Sequence, residues 1–159
     1  MDDERTGRAT PSIYPKASRA IVWIDGGSRG NPGEAGCGIV IELGDGSRET
    51  HSISLGHTTN NVAEYAALLA ALERSKALRV RDVEVRCDSQ LVVEQINGSY
   101  RVRARHLQPL WLRAQQLLRT FSRARVVHVP RASNREADRL ANLAIDTHAS
   151  TVPRPQGVT

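Results

Sequence analysis

The sequence predicts an α/β domain built on a mixed five-stranded sheet, and three observations carry that prediction. Residues 20–25 (AIVWID) form an unbroken apolar run, as a central strand covered on both faces requires. Two further strand-like segments, 35–43 and 48–56, are joined by the turn GDGS at 44–47, which makes an antiparallel meander. Beyond them the chain alternates helical and strand segments, an order that calls for parallel strands joined by right-handed crossovers.

Taken in order, Gly26 and Gly27 are expected to end the first strand, with SRGNPG at 28–33 as the connecting loop. From Asn61 the period changes: Tyr65, Leu68, Leu69 and Leu72 recur at helical spacing, which predicts an amphipathic helix to about residue 76. Residues 82–87 (DVEVRC) read as the fourth strand, followed by a short helix from Ser89 to Asn97 that Gly98 closes. Pro109 suits the first turn of a further helix reaching Phe121. Residues 125–129 (RVVHV) form the fifth strand, and Ser133 with Glu136 matches a capping box opening a last helix to Asp146.

The 159 residues suffice for one core, and no internal repeat interrupts it. The expected division is a flexible N-terminal tail at 1–19, the folded domain at 20–147 and a flexible C-terminal tail at 148–159, both tails being polar and proline-bearing. No apolar run approaches the roughly 20 residues of a membrane helix, and no basic-then-apolar leader opens the chain, so a cytoplasmic protein with no membrane association is expected. Cys37 and Cys87 lack the spacing of a disulfide framework or a zinc site. The net charge of +5 favours an anionic partner. Its distribution is more telling: from Gln95 to Arg135 there is no acidic residue, while Arg101, Arg103, Arg105, Arg113, Arg119, Arg123, Arg125, Arg131 and Arg135 all fall there. That stretch is either a solvated face or a phosphate-binding one.

Four carboxylates stand out. Asp25 ends the most apolar segment of the chain, although aspartate is also common where strands turn. Glu64 lies in the first turn of its helix, at capping-box spacing from Asn61. Asp88 follows the fourth strand where a helix N-cap would sit, and Asp138 lies beyond the first turn of the last helix, within reach of Arg135 or Arg139. Each has an ordinary explanation alone. Together they place two carboxylates at strand ends and two on helices able to pack beside those ends, a cluster that repels itself unless cations bind. Hard oxygen ligands suit Mg²⁺ or Mn²⁺, and two such ions about 4 Å apart support in-line displacement at a phosphodiester.

At this point the chain resembles the type 1 ribonuclease H family. The segments DGGSRGNPG at 25–33, TNNVAE at 59–64, DSQ at 88–90 and NREADRLAN at 134–142 match family motifs in order, over roughly residues 20–146. The resemblance implies a ribonuclease H-like sheet in the order 3-2-1-4-5 flanked by helices, with Cys37 and Cys87 on strands too far apart to bridge. It implies an endonuclease that hydrolyses the RNA strand of an RNA–DNA hybrid, leaving 5′-phosphate and 3′-hydroxyl ends. Asp25, Glu64, Asp88 and Asp138 become the catalytic metal ligands for two Mg²⁺ ions, with Mn²⁺ as a substitute. Asp25 would bridge both ions, Asp138 would serve the ion holding the attacking water, and Glu64 and Asp88 the other.

The resemblance also names the groups that read substrate, the ribose 2′-hydroxyl being what separates RNA from DNA. These are Asn31, Asn60, Asn61, Gln90 and Asn134, the backbone at Gly26 and Gly27, Thr59 toward a DNA phosphate, and Arg131. Arg131 stands in the loop PRASN at 130–134, where many members carry a histidine. The long basic loop of some members is reduced here to SYRVRARH at 99–106, so binding is expected to be modest and salt-sensitive. No obligatory protein partner is evident, and a monomer is expected. Resolvases, integrases and exonucleases share such a sheet, and a noncatalytic binding module is a further rival, but the asparagines with Gln90 favour hybrid, and all four acidic positions are filled.

Overall fold

The computed structural model describes residues 12–158. They form β1 (Arg19–Arg29), β2 (Gly33–Leu43), β3 (Arg48–Thr58), α1 (Asn60–Ala77), β4 (Asp82–Cys87), α2 (Gln90–Ile96), α3 (Gln108–Leu118), β5 (Arg123–His128) and α4 (Arg135–Thr147). The five strands make one sheet in the order β3-β2-β1-β4-β5. β1, β2 and β3 pair antiparallel, whereas β4 and β5 run parallel to β1, so the sheet is mixed as the sequence predicts.

β1 runs further than expected. Gly26 and Gly27 do not end it; pairing with β2 continues to Arg29 opposite Glu34. The missing side chain of Gly26 serves helix packing instead, as does that of Gly38 on β2. A Cβ on Gly26 would lie 2.2 Å from the Ala63 carbonyl oxygen of α1, and one on Gly38 would lie 2.2 Å from the Ala137 carbonyl oxygen of α4. Gly26 pairs with Cys37, and its neighbour Gly38 pairs with Asp25, so by the alternation of a strand the two contacts lie on opposite faces. α1 therefore covers one face and α4 the other.

α1 also differs from the expected amphipathic helix, because ten consecutive residues, Ala63 to Leu72, are buried. It packs against both the sheet and α3, which together bury this stretch. α2 closes as predicted, with Gly98 in the left-handed region at φ +88°. The capping box at Ser133 and Glu136 does not form: Ser133 belongs to a 3-10 turn, Asn134 precedes the helix without a side-chain cap, and Glu136 pairs with Arg48. Cys37 and Cys87 are buried free thiols on strands separated by β1, and burial pushes both thiols up.

The expected N-terminal tail lies outside the described residues as far as residue 11, while Lys16–Ser18 form a 3-10 turn leading into β1. The C-terminal segment, expected as a loose tail, runs along the edge strand β3. Thr151 N–H donates to the Ser52 carbonyl at 2.8 Å, Ser54 N–H to Ser150 Oγ at 2.8 Å, and Arg154 Nε to the Ser54 carbonyl at 2.8 Å. The unpaired backbone groups of an edge strand supply partners that a polar, proline-bearing sequence cannot reveal by its own pattern. Among the described residues no helix is long and apolar enough to cross a membrane.

Candidate active site

The C-terminal half of β1 brings the carboxylates together. In the register of the parallel pair, Ile24 lies beside Cys87, so Asp25 and Asp88 leave neighbouring strands side by side. Asp88 is not a helix cap; Ser89 takes that place, its Oγ accepting from Val92 N–H at 3.3 Å. Glu64 is not a cap either, since Thr59 Oγ1 accepts from Val62 N–H at 3.2 Å. Glu64 instead reaches over the missing side chain of Gly26 and accepts that residue's N–H at 2.8 Å.

As a result, carboxylate oxygens of Asp25, Glu64 and Asp88 lie within 4.8 Å of one another. Asp138, on the exposed side of α4, stands outside this tight group but lines the same cavity as Asp25. Burial and the charges of Asp88 and Asp138 push the Asp25 carboxyl up to about 8. Burial and the charges of Asp25 and Asp88 likewise hold Glu64 well above the usual carboxylate range, with the Gly26 N–H and then Arg131 opposing them. Oxygen-only donors at this separation, buried and crowded by one another's charge, fit a hard divalent cation.

A cavity of about 400 Å³ opens over the cluster, and Gly27, Asn60, Asn61, Arg131 and Asn142 line it beside the carboxylates. Several residues expected at the substrate also make bonds within the chain. Gly26 has committed its N–H to Glu64. Asn60 Oδ1 accepts from Ser28 N–H at 2.8 Å, and Asn31 Oδ1 accepts from Asn60 N–H at 3.1 Å, so these two fasten the β1–β2 turn to the start of α1. Asn134 is 1% exposed and its amide points inward, which removes it from the substrate surface. Gln90 is exposed at the first turn of α2, Asn61 is half-buried, and Arg131 is exposed on the rim.

Two features had little or no individual signal in the sequence. Asn142 Nδ2 donates to the Asp138 carbonyl at 3.0 Å and accepts Arg29 through its Oδ1 at 3.2 Å, a role that the i, i+4 spacing from Asp138 allows. The basic stretch is not one free surface: Arg125 pairs with Glu84, and Arg113 lies 4.0 Å from Glu73.

A sequence model of the family described as reverse transcriptase-like matches residues 24–144. Ribonuclease HI of Halobacterium salinarum is 43% identical over 139 residues, spanning 86% of this chain and 70% of that protein. The crystal structure of ribonuclease H1 from the same archaeon superposes with a TM-score of 0.78 at 44% identity, covering 81% of this chain and 98% of that one. LC11 ribonuclease H1, solved in complex with an RNA/DNA hybrid, gives a TM-score of 0.76 at 40% identity over 81% and 98% of the two chains. A bifunctional protein of Mycobacterium tuberculosis is 43% identical over 84% of this chain, which spans only 37% of its length. With its fold, its clustered carboxylates and these relatives in agreement, the chain belongs to the type 1 ribonuclease H family.

Proposed function

We propose that this chain is an endonuclease that hydrolyses the RNA strand of an RNA–DNA hybrid, with Mg²⁺, or Mn²⁺ in its place, held by Asp25, Glu64, Asp88 and Asp138. The observation that carries the proposal is the convergence of Asp25, Glu64 and Asp88 within 4.8 Å in a cavity that Asn61 and Arg131 also line. The hybrid bound to LC11 ribonuclease H1 supports the choice of substrate. When bound, a pair of divalent ions supplies Lewis acidity toward the phosphodiester and makes water acidic enough to attack.

The chain's own residues do the rest. Asp25 faces both Asp88 and Asp138 and adjoins the residue that anchors Glu64, a position that would let its carboxylate serve both sides of the cluster. Asn61 and Gln90 offer side-chain amides to the ribose 2′-hydroxyl, which both donates and accepts. Asn60 and Asn31 act one step back by holding the turn beside the cleft. Thr59 caps α1 and so aims the helix carrying Asn61 and Glu64. Arg131 offers a permanent positive charge to a substrate phosphate.

The test compares labelled hybrid, double-stranded RNA and double-stranded DNA with Mg²⁺ and with excess chelator. Cleavage of the RNA strand of hybrid alone, dependent on Mg²⁺ and leaving 5′-phosphate and 3′-hydroxyl ends, is expected. Cyclic phosphate products, or undiminished activity in chelator, overturn the proposal.

A further inference from the structure

Asn134 sits where three carboxylate-bearing segments meet. Its side-chain Nδ2 donates to the Ile24 carbonyl at 2.8 Å and to Asp88 Oδ2 at 3.3 Å. Its backbone carbonyl accepts from Asp138 N–H at 3.1 Å. Ile24 directly precedes Asp25, so one residue grips the strand end that carries Asp25, the carboxylate of Asp88 and the helical turn that carries Asp138. The amide can face only one way, because both of its side-chain neighbours are acceptors and only the NH₂ group donates.

That orientation leaves Asn134 Oδ1 buried with no hydrogen-bond partner among the described residues, an unfavourable state for a buried acceptor. A side chain serving only to fill space or start a helix would not require it. Nor does Asn134 line the cavity over the carboxylates; it borders a separate one of about 200 Å³ beside Trp23, Val40 and Glu42.

We propose that Asn134 is a positioning residue that holds Asp88 and the β1 end at cation-binding separation and makes no contact with nucleic acid. This rests on the reading that the carboxylates hold divalent cations. Hydrogen bonds of this kind orient metal ligands, and losing one typically weakens metal affinity about 10–100-fold.

The experiment is a calorimetric Mn²⁺ titration of the full chain without nucleic acid, for the wild type, Asn134→Ala and the bulkier apolar Asn134→Leu, with hybrid kinetics at saturating Mg²⁺ alongside. Mn²⁺ affinity should fall by roughly tenfold or more, while KM for hybrid stays within about twofold. In an Asp88→Asn background the further loss on Asn134→Ala should be smaller, because the bond to the Asp88 carboxylate is gone and only the bond to the Ile24 carbonyl remains to be lost. An equal loss in both backgrounds shows a general structural defect and overturns the proposal, whether or not the single variants fold well. Unchanged Mn²⁺ affinity with raised KM makes Asn134 a substrate contact and also overturns it. A wild type that binds no Mn²⁺ defeats the metal reading itself, whereas wild-type and variant proteins that bind equally well defeat this inference alone.

Discussion

Gly26 donates its backbone N–H to Glu64 Oε1 at 2.8 Å, and the same glycine lets α1 approach β1 so closely that a Cβ there would fall 2.2 Å from the Ala63 carbonyl oxygen. The residue that admits the helix is the residue that anchors its carboxylate. Gly26→Ala should therefore push α1 outward and carry Glu64 away from Asp25. Stability should fall by about 1–3 kcal/mol or more, the usual cost of overpacking, and Mg²⁺ should bind less tightly. Urea unfolding with a parallel metal titration checks both. A stable variant with unaltered metal affinity would contradict the close approach.

Asp25→Asn should abolish cleavage and change how stability depends on pH. The Asp25 carboxyl is raised from 3.8 to about 8 in the folded, metal-free chain, so between those values the folded state holds a proton that the unfolded state has released. Wild-type stability in chelator must then fall as pH rises through that window, by at most about 1.4 kcal/mol per pH unit for the one proton, and level off above it. Asparagine has no proton to lose. The variant should gain on the wild type as pH increases from 5 to 8.5 in chelator, measured by denaturant midpoints; parallel curves would count against the assignment.

Asn61→Ala and Gln90→Ala should each reduce the preference for hybrid over double-stranded DNA, by about 0.5–1.5 kcal/mol per lost hydrogen bond. Gln90 is exposed, so its variant should keep the wild-type melting temperature. Asn60→Ala should differ, because it also releases Ser28 from its bond to Asn60 Oδ1. Competition binding with hybrid and duplex DNA separates these cases, and an equal loss on both ligands would indicate phosphate binding instead.

Arg131→Ala should reduce activity only partly, whereas Asp138→Asn should nearly eliminate it. An arginine is a fixed cation and not a proton shuttle, so the contribution of Arg131 is electrostatic. Its removal should weaken hybrid binding and make that binding less dependent on salt. Kinetics at several salt concentrations provide the check. A variant as inactive as Asp138→Asn with unchanged binding would show that the loop carries an indispensable chemical step.

Truncation after His148 should uncover the edge of β3. The backbone groups of Ser52 and Ser54 would lose Ser150, Thr151 and Arg154. Several hydrogen bonds of about 0.5–1.5 kcal/mol each are at stake, and an exposed edge favours pairing between chains. A lower urea midpoint and concentration-dependent self-association, read by light scattering, are the expected signs. An equally stable, monodisperse truncation would show that the strap contributes nothing.

The amino-acid sequence by itself determined the elements and their order, because apolar periodicity and turn residues act locally. The run at 20–25, the turn at 44–47 and Gly98 each carry their structural consequence within a few residues. It also exposed the four acidic positions, which no local rule required as a set. What only the tertiary structure decided is which partners each polar group takes, since those bonds join residues far apart in the chain. Glu64 and Asp88 each have a local explanation as caps that the folded chain gives to Thr59 and Ser89. Asn134 looks like a surface residue of a motif until Ile24 and Asp88 close around its amide, and the C-terminal segment looks loose until β3 offers its open edge. A buried polar group must find its hydrogen bonds wherever packing brings partners, and sequence distance places no limit on where that is.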